Sequence, residues 1–546
     1  MASKKIIRGI IFLVVIVALG VFLYFQGYFN GIPNEGKQNE DVGVKTHYGV
    51  SAGHPIAVDV GMEVLSRGGN AADAAIAVSY VLGVVEPYAS GIGGGGVMLV
   101  HPGEGEETSV FDYREVMPYS STMLRSHVGV PGFVKGMEEI HQAHGSLPME
   151  ELIAPAIELA EQGFGINVVL SNRISDAYHK LPRSQLPHFF PNGQALGANE
   201  VLIQEALAQT LRIIQEQGAE AFYSGQIGQT IANRIGSIEL SDLNNYEVIQ
   251  SEAISAPYRG YDVITAPAPL AGITLIQMLQ MAEVLELNEI DYTNAQSVHL
   301  YNEITKRAYQ DRISHIADPD YHNVPVELLL SPKQIQSHAE DISYDRASTG
   351  FTMYDTPADE DDGHNNTTHF VIVDGDGMMI SATHTLSHFF GSGVYIDGFF
   401  INNQLYNFST TPGSPNYPEP GKRTRSFIAP VILEKEGVPV LGIGTPGGRH
   451  IPEALGQVMI NLVNNEKNIQ NKIDLPRFLN RDDAIYVEAT IPREERNRLR
   501  ELGYIVVEFR SEHLYGGVHG LYVDPDNGRI YDGGDPRRGG ASQARN

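Results

Sequence analysis

The residues with the most to say about chemistry stand around position 367. Residues 369–373 and 378–385 are strand-like, and Asp374-Gly375-Asp376-Gly377 between them is a glycine-containing turn, so the segment predicts a β-hairpin. Asn366, Thr367 and Thr368 come directly before it. If residues 375–377 form the loop and Asp374 closes on Met378, Thr367 falls opposite Thr385; a two-residue loop would shift that pairing by one. Taken alone, such a threonine pair reads as an ordinary strand start, with a nucleophilic hydroxyl as the alternative. The glycine run at residues 91–96 formally matches GxGxxG. It follows a predicted helix and leads into the strand-like residues 97–100, the reverse of the dinucleotide-binding context. Close passage of backbone past backbone, which glycine allows, explains it better. There is no HExxH and no compact cluster of ligands among the 19 histidines, so neither a metal nor another cofactor is expected.

The elements that must position these residues fall in two groups. Helices are predicted over residues 56–67, 71–84, 151–162, 201–217 and 275–287, and strands over 369–373, 378–383, 438–443 and 505–509. Helices before about residue 350 and strands after it argue for a mixed α/β sandwich in one large unit. The 546 residues carry 38 Lys+Arg against 66 Asp+Glu, a formal charge of −28. No basic stretch offsets this, so nucleic acid is excluded as a partner. The absence of cysteine removes disulfides, thiolate metal sites and a lipid-modified cysteine anchor.

At the N-terminus Lys4, Lys5 and Arg8 precede an apolar or glycine run at residues 9–25. At about 1.5 Å per residue it spans roughly 26 Å, the short end of a bilayer crossing. No clear small-x-small cleavage site follows Phe25, which favours a single-pass membrane anchor over residues 1–26 with the body outside the cell; cleavage would instead release a secreted protein. Residues 27–46 read as a linker, and the folded body is expected to start near His47.

The stretch TTHFVIVDGDGMMISATHTLSHFFGSG from Thr367 recurs with GGNAADAAIAVSYVLG from Gly68, DYRE from Asp112, NNQ from Asn402, PGKR from Pro420 and TPGG from Thr445. Together, over residues 47–546, these motifs resemble the γ-glutamyltransferase (glutathione hydrolase) family of N-terminal-nucleophile hydrolases. The resemblance implies an α+β fold, a four-layer αββα sandwich built from both parts of a self-cleaved chain. It implies cleavage between Asn366 and Thr367, giving a heavy subunit (47–366) that stays associated with a light catalytic subunit (367–546). In that chemistry Thr367 Oγ attacks the Asn366 carbonyl and water hydrolyses the resulting ester. The new α-amine of Thr367, with an ordinary pKa of about 7.7–8.0, then serves as base for its own hydroxyl. A γ-glutamyl ester forms on Thr367 and passes to water or an amine.

The same resemblance assigns further roles. Thr385 would hydrogen-bond the nucleophile, and Gly447 and Gly448 would supply the N–H pair that stabilises the oxyanion. Arg114 would hold the substrate α-carboxylate through a two-pronged contact, and Gln404 would touch the substrate amine. Without the family context, Arg114 reads as one half of an ion pair with an acidic neighbour.

Departures from the family pattern bear on substrate. Asn407 stands where glutathione-cleaving members carry an aspartate facing the substrate ammonium. Ser387 replaces an asparagine, and Ser426-Phe427 a Ser-Ser pair. An interior unit of poly-γ-glutamate has its nitrogen in an uncharged amide and needs no such carboxylate. Arg423 and Arg425 could bind successive carboxylates of a polyanion, or form a solvated basic turn. Residues 409–419 are too short for a substrate-covering lid. With the anchor, these features look most like the capsule poly-γ-glutamate depolymerase branch, although a net charge of −28 suits a polyanion only if the groove is locally basic. Small γ-glutamyl donors such as glutathione are the competing substrates, and an uncut, non-enzymatic binding protein for the same polymer is the competing class.

Overall fold

The hairpin that carries Thr367 and Thr385 sits at the centre of the largest sheet among the described residues. In the computed structural model, described here for residues 47–546 except 122–123, 125, 352, 354–364, 464–466, 482–483 and 511–513, the strands Asn365–Val373 and Met379–His388 pair antiparallel. Asp374 N–H bonds to the Met378 carbonyl at 3.1 Å and so closes the loop at residues 375–377. The register that follows sets Thr367 opposite Thr385. Asp374 also caps the chain elsewhere: its carboxylate accepts the N–H of Ala71, at the start of helix Ala71–Val85.

Seven strands make this sheet, in the order Ala541–Arg545, Tyr48–Ala52, Asn365–Val373, Met379–His388, Gly95–His101, Ser109–Asp112 and Ile249–Glu252. A second sheet of six strands contains Tyr261–Thr265, Val431–Lys435, Val438–Gly444 and His519–Val523. Alternation along the nucleophile strand divides the core. Phe370 and Ile372 pack with helices Pro55–Ser66 and Ala71–Val85, whereas Val371 and Val373 pack with Val431, Ile443 and the second sheet. Ser381 Oγ bonds to the Ile443 carbonyl across the gap. The fold is thus mixed α+β. Helices are concentrated before residue 350 and strands after it, as expected, yet strands from both ends of the chain interleave, because Tyr48–Ala52 lies between the C-terminal strand and the nucleophile strand.

Local expectations hold to within a few residues, as in helices Pro55–Ser66, Met149–Gln162 and Gly272–Val284. Residues 201–217 divide instead: Val201–Leu202 pairs with Phe164–Gly165, and the helix runs over Glu205–Gln217. The glycine run is a place of close backbone approach. A Cβ on Gly93 would lie 2.1 Å from the Phe400 carbonyl, and one on Gly94 2.4 Å from that of Thr385. Among the described residues no helix is long and apolar enough to cross a membrane. The expected anchor at residues 9–25 and the linker lie outside the described residues.

Buried ionisable groups give the body a definite pH response. Burial pushes His384 down to about 3 and His54 and His519 to about 4, and carries His369 and His450 well below their ordinary range. In the unfolded chain these rings titrate near about 6.5, so below that pH the unfolded state binds more protons and stability falls with acidity. Burial pushes Glu115 and Glu453 up to about 8 and Glu86 in the same direction. For these carboxyls the folded state holds the extra proton above about pH 4.5, so their contribution is lost as pH rises towards 8. The histidines prevail on the acid side and the carboxyls act alone above about pH 6.5. The melting temperature should therefore peak between about pH 6 and 7 and drop more steeply towards acid. A melting series in which stability keeps rising down to about pH 4.5 would contradict this assignment.

Candidate active site

Thr367 and Thr385 pair near the end of the hairpin away from its turn, on the face that meets the second sheet. One step further the ladder bulges, so that Ser387 rather than Leu386 faces Asn366. Ser387 takes up the bulge with a φ of 75°, and its N–H bonds to Thr385 Oγ1 at 2.8 Å. The bulge turns Ser387 towards the cleft beside Thr367.

The second sheet supplies the other wall. Strand Val438–Gly444 passes so close to His369 that a Cβ on Gly444 would fall within 2.3 Å of the ring. It then runs into Thr445-Pro446-Gly447-Gly448. Gly447, at φ 151°, donates its N–H to Thr367 Oγ1 at 3.2 Å, and Gly448, at φ 56°, lines the cleft. Both glycines lead into helix Ile451–Leu462, whose N-terminal end adds a positive field at this point. A threonine hydroxyl within reach of an N–H at a helix N-terminus is an arrangement that can stabilise negative charge on oxygen.

The cleft is lined from the first sheet by Thr367, Thr385 and Ser387, and by Gln404 and Asn407 on the short turn Gln404–Asn407. Ser426, Phe427 and Ile428 complete it with Gly448, Arg449 and Ile451. Gln404 Nε2 reaches Thr424 Oγ1 at 3.3 Å, while its Oε1 is buried without a hydrogen-bond partner among the described residues. Asn407 donates Nδ2 to Ser387 Oγ at 3.3 Å and to the Gln404 carbonyl at 3.2 Å. Residues 409–419 fold back rather than over the cleft: Asn416 Nδ2 bonds to the Asn407 carbonyl at 2.7 Å and Asn416 Oδ1 accepts the N–H of Arg425.

Three arginines are placed differently from expectation. Arg114 does not line the cleft. Its fork grips Asp112, with Nε on Oδ1 at 3.0 Å and Nη2 on Oδ2 at 2.6 Å, and Nη1 bonds to the Thr424 carbonyl. Burial pushes the Asp112 carboxyl up, but Arg114 and Arg423 more than reverse that, leaving it below the ordinary range. The acidic neighbour two residues back therefore takes the two-pronged contact, and Arg114 connects to the cleft through Thr424, which Gln404 also touches. Arg423 bonds to the Glu247 carbonyl and lies 3.8 Å from Asp112. Arg425 caps the end of helix Ala295–His315 on the carbonyls of Arg312, Ile313 and Ile316. Neither lines the cleft: one serves the Asp112 cluster, the other a helix terminus.

The sequence reading stopped at Gly448 and missed the residues beyond it. Arg449 lines the cleft, and its carbonyl accepts Tyr309 OH at 2.6 Å. Behind it Arg449 Nε donates to His450 Nε2 at 3.2 Å, and His450 Nδ1 faces Glu453 Oε2 at 3.2 Å. Burial keeps His450 neutral, so with Nε2 accepting, the proton belongs on Nδ1, which donates to Glu453.

Comparison with known proteins accounts for the whole described body. The capsule biosynthesis protein CapD proenzyme of Bacillus anthracis is 42% identical over 542 residues, 99% of each chain. The glutathione hydrolase proenzyme of Bacillus subtilis (strain 168) is 33% identical over 536 residues, 90% of each. Among solved structures, a cephalosporin acylase from Bacillus halodurans superimposes with a TM-score of 0.82 at 28% identity, covering 94% of this chain and 98% of that one. The family model for gamma-glutamyltranspeptidase matches residues 57–544, and with these relatives it establishes that the chain belongs to the gamma-glutamyltranspeptidase family.

Proposed function

We propose that the protein is a self-cleaving γ-glutamyl hydrolase and transferase whose nucleophile is Thr367, acting at the cell surface on γ-glutamyl amides and on poly-γ-glutamate in particular. The observation that carries this reading is the 3.2 Å contact between Gly447 N–H and Thr367 Oγ1, with Thr385 directly across the ladder. Family membership and the proenzyme relatives support it. In this reading Thr367 Oγ adds to the Asn366 carbonyl, water hydrolyses the ester, and the chain divides into a heavy subunit whose body is residues 47–366 and a light subunit 367–546, the two remaining joined through the shared seven-stranded sheet. The packing of each sheet on helices and on the other sheet supports a four-layer αββα sandwich of the N-terminal-nucleophile type. Residues 1–26 serve as the membrane anchor.

In turnover the neutral α-amine of Thr367 takes its hydroxyl proton, and Oγ adds to the γ-carbonyl of the donor. The oxyanion receives the N–H groups of Gly447 and Gly448. Collapse, with the α-ammonium returning its proton to the leaving nitrogen, releases the amine and leaves a γ-glutamyl ester, which water or an acceptor amine resolves. Thr385 holds the bulge that carries Ser387, while Ser387, Gln404, Asn407 and Ser426 face the acyl unit.

Asn407 supports the polymer as donor. Its amide presents no charge to an ammonium, and its Nδ2 donors are used on Ser387 and Gln404. Asn407→Asp removes both donors and introduces the missing carboxylate, so the ratio of kcat/KM for glutathione over oligo-γ-glutamate should rise about tenfold. An unchanged ratio removes the argument for the polymer.

A further inference from the structure

The walls of the cleft differ in charge. Those from the first sheet present Ser387, Gln404 and Asn407, all neutral, and among the described residues lining the cleft Arg449 alone is charged. Arg449 follows directly on the proposed oxyanion donors, and a chain of buried contacts stands behind it. Tyr309 OH holds its carbonyl, His450 Nε2 accepts from Nε, and Glu453 takes the other side of the His450 ring. Glu453 is itself pinned, since its Oε1 accepts the N–H of Asn480 and its carbonyl accepts Tyr301 OH. Neutral His450 can accept from the guanidinium; a protonated ring would repel it. The side chain is therefore oriented by a buried relay at its Nε edge, and a planar guanidinium so held suits a carboxylate.

A γ-glutamyl chain crossing Thr367 places one unit on each side of the scissile amide. The acyl unit faces the neutral side chains, so the next unit, whose nitrogen becomes the leaving amine, meets the wall that carries Arg449. Resting on the proposed function, we infer that Arg449 is a specificity-determining residue that binds the α-carboxylate of the leaving-side γ-glutamyl unit, with His450 and Glu453 as positioning residues. This supplies locally the positive charge that a polyanionic donor needs in a chain of net charge −28.

The test compares two donors on the full chain: oligo-γ-glutamate, which carries the leaving-side carboxylate, and γ-glutamyl-p-nitroanilide, which lacks it. Arg449→Gln should lower kcat/KM for the oligomer by about 10- to 100-fold, chiefly through KM, with a change below about threefold for the anilide. Arg449→Lys keeps the charge without the Nε contact to His450 and should lose an intermediate amount; it also serves if the glutamine variant does not fold. Equal losses on both donors, or an unaltered ratio in both variants, overturn the inference. Wild-type protein that turns over the anilide but not the oligomer overturns the polymer reading instead, so the two failures are told apart.

Discussion

A Thr367→Ala chain is expected to stay in one piece and to lose γ-glutamyl turnover by at least about 10⁴-fold, because one hydroxyl serves both reactions. In self-cleavage Thr367 Oγ must reach the carbonyl of the residue before it, and in turnover it must reach the donor. The side chain lies against Gly447 N–H in a strand paired at this point with Met379–His388, so a neighbouring hydroxyl cannot swing into its place. Thr368, the adjacent candidate, points to the other face of the sheet, towards Glu86. Thr367→Ser should keep both reactions at reduced rate, whereas Thr368→Ala should still cleave. Electrophoresis and peptide mapping of the three variants decide the matter, and subunits appearing in Thr367→Ala would end the assignment.

The second large effect belongs to Gly447. A methyl group there meets nothing closer than 3.6 Å, so Gly447→Ala creates no clash. The obstacle is the backbone, because φ of 151° lies where residues with a Cβ are strained. Relaxing that strain turns the N–H away from Thr367 Oγ1. Loss of one oxyanion donor costs about 10²- to 10³-fold in kcat, and the fall should appear in kcat with KM little changed. A substitution elsewhere at positive φ and with open space around it, such as Gly413→Ala, shares the strain without touching the cleft and controls for stability. If both substitutions left kcat equal to wild type, Gly447 would not be an oxyanion donor.

Much of this geometry was legible in the chain because it is local. The Asp-Gly-Asp-Gly turn sets the hairpin length, and period-two alternation then fixes which residues face each other, so Thr367 meets Thr385. The bulge at Ser387 was not legible, since its φ of 75° is imposed by pairing rather than announced by a glycine. Helix Ala295–His315 escaped for a related reason. Besides the apolar Val298, Tyr301, Ile304 and Ala308 it buries Glu303, Lys306, Arg307 and Arg312, with Glu303 bonded to both Lys306 and Arg307, so charged residues interrupt the apolar stripe in the sequence. The partner of Arg114 was in plain view: in an extended stretch residues two apart share a face, and Asp112 stands two before it. The motif TPGG likewise drew the reading to two glycines and away from Arg449, His450 and Glu453, which the turn and helix after them bring behind the cleft. Sheet order remained hidden, because it depends on contacts between residues hundreds of positions apart.

The most direct test of the central claim is the intact mass of the purified chain after incubation near neutral pH, with a parallel sample acid-quenched during turnover of a slow γ-glutamyl donor. The account predicts a 180-residue species that begins at Thr367, and in the quenched sample the same species carrying one γ-glutamyl group on that residue. An undivided chain that still turns over the donor, or an acyl group found on any other residue, would contradict it.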